Sequence, residues 1–381
     1  KAPEAFEIER RLKEELDIPI MHDDQHGTAI ISSAALLNAL ELAKKKIERV
    51  KIVISGAGAS ALSCAKLYVA LGAKVSNIYM FDSKGLIGAF RSDLDDMKTF
   101  FASHKKEVSF EEAFKGADVF LGLSRGGLVN KEMIKKMAKD PIVFALANPD
   151  PEISYKDATS VRKDIIMATG RSDHPNQVNN VLGFPFIFRG ALDVRATTIN
   201  EEMKLAAVKA IASLAKETIP EEVIEAYGEK NISFGRDQII PKPLDPRLIY
   251  SVAPAVAKAA MESGVAKNPI KDWQKYEAEL KARLGLDNEL MRNITAKAQS
   301  NPKKVVFAEA DNVKILKAAQ VSYEEGVAFP ILLGDRDVIL ALMEEYNVEL
   351  PEVTIIDPKA DSEEERRTNF GKEFFQRRKR K

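Results

Sequence analysis

The sequence predicts an α/β protein built on a doubly wound parallel sheet, followed by a helical linker and the start of a second α/β domain. Three observations carry this. Apolar, β-branched runs alternate with helical segments through the first half of the chain. One of those runs passes directly into a turn of small residues, Gly56-Ala57-Gly58-Ala59-Ser60-Ala61. Strand and helix then alternate again beyond Asn301-Pro302.

Taken in order, Ala2 to Asp17 sets Ala5, Ile8 and Leu12 at helical spacing among charges, and Pro3 suits a first turn. Ile18 to Met21 reads as extended and delivers His22-Asp23-Asp24-Gln25-His26 into a loop. A long helix follows, with Thr28 as its expected N-cap and its end near Lys46. The expected strands are Val50 to Ser55, Val75 to Phe81, Val119 to Leu123, Ile142 to Ala147 and Ile165 to Ala168. Helices are expected from Leu62 to Leu71, Leu94 to Ser103, Phe110 to Lys115 and Lys131 to Lys139. After about Thr198 the pattern becomes helical, with a proline-containing connection from Ile240 to Pro246. Residues 268–300 read as a polar helical linker. Beyond them Val305 to Phe307, Ile331 to Leu333 and Val353 to Ile356 read as strands. The expected division is therefore 1–25, 26–267, 268–300 and 301–381.

Composition narrows the function. Hydrophobic residues make up 45% of the 381 and charged residues 30%, enough for large cores under an ordinary polar surface. Lys plus Arg and Asp plus Glu are both 57, so no global field attracts nucleic acid or an anionic membrane. The basic run Gln376 to Lys381 reads as one face of a helix. A lone cysteine, Cys64, excludes an internal disulfide and fits a reducing, cytoplasmic setting. No apolar run reaches the roughly 18 residues that span a bilayer. A small-molecule partner is expected.

The turn after Ser55 fits the G-x-G-x-x-A phosphate-binding pattern of a Rossmann-like NAD(P)-binding domain. Gly56 permits the bend, Gly58 lets backbone approach a pyrophosphate, and Ala61 allows close packing of helix on strand. Free amides at the helix start then face the anion. Asp82 closes the next strand, where a carboxylate accepts from ribose hydroxyls and favours NAD. Lys84 beside it suits a 2′-phosphate and favours NADP. Spacing leaves the two open.

Asp23 and Asp24 suggest a hard divalent cation, Mg²⁺ or Mn²⁺, although such a pair also caps a following helix. His22 and His26 stand at i, i+4, but the residues between them are not the H-E-x-x-H zinc signature and Gly27 argues against a continuous helix there, so both read as structural or supporting residues. Two polar stretches follow strands: Ala147-Asn148-Pro149-Asp150-Pro151-Glu152, and Thr169 to Asn180 with Asn176-Gln177-Val178-Asn179-Asn180 at its end. In an open parallel sheet both loops lie over the ligand crevice, which makes Asn148, Asn179 and Asn180 candidates for substrate carboxylate or nicotinamide ribose. The alternative is that they only build turns.

Ile18-Pro19-Ile20-Met21-His22-Asp23-Asp24-Gln25-His26-Gly27-Thr28-Ala29, the Gly56 turn and the two asparagine loops, in this order, resemble the bacterial malic enzymes from Lys1 to about Lys297. The segment from about Asn301 resembles the start of the phosphate acetyltransferase-like domain of the large hybrid form. The resemblance implies oxidative decarboxylation of (S)-malate to pyruvate and CO₂ with reduction of NADP. It makes Asp24 a metal ligand and Asp23 its neighbour that orients the base, Ala57 to Ser60 the cofactor turn, and Asn148 and Asn180 contacts to cofactor or substrate. It also implies a homo-oligomer, and acetyl-CoA sensing by the second domain. Two further acidic metal ligands and the tyrosine and lysine that move protons lie upstream of Lys1 in the family, so the expectation is a fragment at both ends that binds NADP but barely turns over malate. Within the second domain Glu309, Asp311 and Lys314 allow a site reading, but helix-start capping is the safer one. A nucleotide-binding regulator, and acetyl transfer to phosphate by the second domain, are the competing readings.

Overall fold

The computed structural model describes residues 4–378 except 218, 220–222, 224–226, 228–232, 325, 347, 349 and 352. The chain divides into two compact units, Lys1–Lys281 and Ala282–Lys381.

The first unit opens with α1 (Glu4–Glu15), whose exposed side is laced by Arg10 to Glu7 and Glu14. Residues 18–22 join no sheet, and α2 (Asp23–Leu42) starts at the acidic pair, so Thr28 lies inside the helix instead of capping it. Gly27 explains the difference. A Cβ there would meet Asp23 Oδ1 at 2.3 Å and the Asn180 amide at 2.8 Å, so this glycine marks a close approach and not a helix break.

The sheet contains β1 (Ile52–Ser55), β2 (Ile78–Asp82), β3 (Gly85–Leu86), β4 (Val119–Gly122), β5 (Ile142–Ala145) and β6 (Ile166–Thr169). Its order is β3-β2-β1-β4-β5-β6, parallel throughout except for the antiparallel β3. Between the strands run α3 (Ala59–Ala70), α4 (Asp96–Thr99), α5 (Phe110–Ala113), α6 (Lys131–Lys135) and α7 (Tyr155–Val161). Strands β1, β4, β5 and β6 are buried along their whole length because helices cover both faces. Their side chains alternate between two cores: Ile52 and Ile54 join one, Val53, Phe120 and Val143 the other.

Past β6 come α8 (Phe184–Asp193), α9 (Glu201–Leu214), α10 (Leu248–Glu262) and α11 (Trp273–Ser300). The expected helix from Leu94 to Ser103 shrinks to α4, capped by Asp95 accepting from Lys98 N, before the chain turns to bury Phe101. The sequence reading missed α7 and α8. In α8, Pro185 sits in the first turn where it costs nothing, and Gly190 serves a helix crossing in which a Cβ would meet the Ala253 carbonyl at 2.4 Å.

The second unit holds a parallel sheet of β7 (Lys303–Phe307), β8 (Ala328–Leu333) and β9 (Thr354–Ile356), with α12 (Val313–Glu324), α13 (Arg336–Glu345) and α14 (Glu364–Arg378). Asn312 Oδ1 accepts from Lys314 N at 2.9 Å, so Asn312 makes the cap expected of Glu309 or Asp311. The basic terminus is helical as far as Arg378, and 379–381 lie outside the described residues. Among the described residues no helix is long and apolar enough to cross a membrane.

Candidate functional site

The strand order reverses direction at β1 and β4, and the crevice beyond their carboxyl ends is where a doubly wound sheet takes its ligand. Gly56 turns there at φ +112, and a Cβ on it would lie 2.6 Å from the Leu123 carbonyl, so only glycine fits. Gly58 faces open space and precedes α3 with no side-chain cap, which leaves the first amides of that helix free for an anion. Ala61 is buried against the sheet, and Ser60 Oγ donates to the Asp24 carbonyl, tying the turn to α2. A cavity of about 740 Å³ opens over this turn and the end of β2, bounded by Gly56, Ala57, Gly58, Asp82, Ser83 and Arg125.

Asp82, on the wall of that cavity, belongs to a charge network that sequence reading missed. Arg91 grips both oxygens of Asp82 at 2.8 and 3.0 Å, and also binds Asp93 at 2.9 and 3.0 Å. Lys84, whose ammonium suits a 2′-phosphate in the sequence reading, pairs with Asp93 at 2.6 Å, while its amide donates to Asp82 at 2.9 Å. Lys98 stands 3.7 Å from Asp82. Burial pushes the Asp82 carboxyl upward, but Arg91, the Lys84 amide and Lys98 outweigh it and hold the group below the usual carboxylate value. No local signal reveals Arg91, which lies nine positions beyond its partner in an irregular loop.

A second cavity of about 550 Å³ lies over the ends of β4, β5 and β6, and here the remaining candidates meet: Asp24, Ser60, Asn148, Asn179 and Asn180, with Arg171. Asp24 and Asn148 are exposed to it. Asn180 Nδ2 donates to Asp23 Oδ2 at 3.0 Å, and its Oδ1 accepts from Thr28 at 3.3 Å, so the last strand's loop is pinned on α2. Asn179 Oδ1 accepts from Val181 N at 3.1 Å and so also shapes its own turn. Asp23 Oδ1 is buried with no hydrogen-bond partner among the described residues, which suits a cation beside it. Asp24 offers one hard oxygen ligand, and among the described residues no cluster of three acidic, histidine or cysteine side chains completes a metal site.

Of the two histidines that flank the acidic pair, His26 is engaged on both ring nitrogens. Its Nε2 meets Glu9 at 2.9 Å and its Nδ1 meets Lys204 at 3.2 Å, which joins α1, α2 and α9 behind the acidic pair. Burial pushes the His26 pKa down. Burial opposes ionisation of Glu9, yet its bonds to His26 and Lys13 win and bring it to about 2. Lys204 is pushed down to about 8 by burial. His22 occupies the N-cap position of α2 without a capping bond.

Residues 25–226 match the family model "Malic enzyme, NAD binding domain", and residues 289–381 match "Phosphate acetyl/butaryl transferase". The chain is 52% identical over 347 residues to an NADP-dependent malic enzyme of Haemophilus influenzae, covering 89% of this chain and 45% of that protein. It is 49% identical to an NAD-dependent malic enzyme of Rhizobium meliloti, over 95% of this chain and 48% of that one. The solved malic enzyme of Entamoeba histolytica superposes with a TM-score of 0.68 at 37% identity, covering 78% of this chain and 60% of the other. The chain thus spans about half the length of the curated relatives it matches.

Proposed function

Because this chain belongs to the malic enzyme family, we propose that it carries the nucleotide-binding part of a metal-dependent oxidative decarboxylation of (S)-malate to pyruvate and CO₂, with NADP as oxidant. The observation that carries the reading is the convergence of Asp24, Asn148 and Asn180 on one cavity beside the Gly56 turn.

Gly58 and the first amides of α3 hold the pyrophosphate, and the cavity at β2 takes the adenosine end. NADP over NAD rests on Arg91. By occupying both oxygens of Asp82 it removes the acceptor a ribose 2′-hydroxyl would use, and its guanidinium, with Lys84 and Lys98 around the same carboxylate and Arg125 on the cavity wall, supplies donors for a 2′-phosphate. The names of the relatives include both cofactors, so this choice belongs to the residues of this chain.

At the other end Asn148 and Asn180 orient the malate carboxylate and the nicotinamide ribose, and Asp24 gives Mg²⁺ or Mn²⁺ one oxygen ligand. Such a cation, when bound, supplies Lewis-acid polarisation of the 2-oxygen and stabilises enolate charge, while NADP accepts hydride. Asp23, fixed by Asn180 with one oxygen unpartnered, provides the negative wall that orients a cationic base.

The test is malate-dependent NADPH formation with Mn²⁺, comparing this chain with one extended at its amino terminus. Activity in the extended chain and NADPH binding with little turnover in this one are expected. Efficient turnover by the 381 residues alone would place acid and base among residues assigned here to structure. Silence of both would favour a nucleotide-binding regulator.

A further inference from the structure

Glu152 is a carboxylate with no exposure at all, and among the described residues no charged side chain pairs with it. Its oxygens face two different loops. Oε1 accepts from Ser124 N at 3.0 Å, in the loop after β4, and Oε2 accepts from Ala147 N at 3.1 Å, in the loop after β5. Ser124 continues the line, since its hydroxyl meets that of Ser55 at the end of β1 at 2.7 Å. The backbone around Glu152 clasps the same loop a second time: Gly127 N donates to the Pro151 carbonyl at 3.2 Å and Val129 N to the Glu152 carbonyl at 3.0 Å. Gly122 leaves the space for all this. A Cβ there would lie 2.2 Å from the Glu152 carboxyl carbon.

The loop after β4 lines both cavities, with Leu123 on the 550 Å³ one at the nicotinamide end and Ser124 and Arg125 on the 740 Å³ one at the adenosine end, whereas Ala147 and Asn148 of the loop after β5 line the 550 Å³ cavity. We propose that Glu152 is a positioning residue that fixes the two halves of the cofactor crevice at one spacing, so that a dinucleotide long enough to bridge them is bound as a unit. The proposal rests on the cofactor reading above. A carboxylate suits the task because it accepts at both oxygens, and neither a protonated acid nor an amide offers two acceptors in that arrangement.

Protonation of Glu152 therefore undoes the clamp. Burial raises its pKa above the usual carboxylate value, against the Ser124 and Ala147 amides that lower it. The other charges of the two loops, Arg125 and Asp150, are exposed. A carboxyl with a raised folded pKa contributes most to stability when neutral, and that contribution falls as pH rises through the raised value. Taking up the proton thus loosens the crevice without unfolding the chain through this group.

The experiment titrates the full chain and its Glu152→Gln variant with two fluorescence-detected ligands: NADPH, which spans both cavities, and adenosine 2′,5′-bisphosphate, which fills the adenosine end alone. Glu152→Gln is expected to weaken NADPH about tenfold, one hydrogen bond to a buried carboxylate, and the bisphosphate less than twofold. As pH is lowered, the ratio of NADPH to bisphosphate affinity in the wild type is expected to fall relative to the same ratio in the variant. The ratio cancels the titration of the 2′-phosphate that both ligands carry, and the titration of the bisphosphate's terminal 5′-phosphate, which NADPH lacks, is common to both proteins and cancels between wild type and variant. Equal losses for both ligands, or a ratio that depends on pH equally in both proteins, would overturn the clamp alone. A wild type that binds neither ligand would overturn the cofactor reading and the clamp with it.

Discussion

At the scale of single residues, the candidate site divides into groups that announce themselves by local pattern and groups defined only by what folds against them. Gly56, Gly58, Asp23 and Asp24 belong to the first kind, because a tight turn and an acidic pair are properties of neighbouring positions. Arg91 and Glu152 belong to the second, since their partners are reached across loops. Arg91 also alters what Asp82 means. Read alone, Asp82 favours NAD; read with a guanidinium on both its oxygens, it is a neutralised anchor. Arg91→Ala should therefore free the carboxylate, weaken NADPH about tenfold and improve NADH, a reversal of preference measurable by parallel binding titrations. An equal loss for both cofactors would show that Arg91 merely holds the loop in place.

At the scale of elements, the buried strands were legible because two covered faces demand near-continuous apolar runs, and β1, β4, β5 and β6 supply them. Helices whose signals conflict were not. Pro185 and Gly190 make α8 read as loop, although the proline sits in the first turn and the glycine is there to let α10 approach. Gly190→Ala decides between propensity and packing. Helix propensity favours alanine by about 1 kcal/mol, yet the added Cβ would meet a backbone carbonyl at 2.4 Å, a clash that side-chain rotation does not relieve. Overpacking costs about 1–3 kcal/mol, so the variant should melt several degrees lower; a higher melting point would mean the helices separate freely. The tie among α1, α2 and α9 has its own signature. Lys204 has a folded pKa of about 8, below its unfolded value, so the unfolded chain binds more protons between the two and stability rises with pH across that window. Lys204→Met should abolish that rise, worth about 3 kcal/mol, in denaturant titrations at neutral and alkaline pH. An unchanged slope would assign the titration to another group.

At the scale of the whole chain, the apolar clusters keep the two units separate: the sheet cores draw on residues of the first, and the cluster around Leu316, Leu332 and Ile339 draws on the second alone. Both cavities assigned to the cofactor are lined by the first unit. Separate cores predict separate melting, and a ligand stabilises only the unit whose folded form it binds. NADPH at a hundredfold excess over its dissociation constant adds about 2.7 kcal/mol, which for some 280 residues corresponds to about 5 °C. Calorimetry should therefore show two transitions, of which NADPH moves one by about that amount and leaves the other in place. Adenosine 2′,5′-bisphosphate should move the same transition by less, because it fills one cavity and gains nothing from the Glu152 clamp. A single transition that shifts as a whole would mean that the units unfold cooperatively, with contacts beyond their apolar cores coupling them.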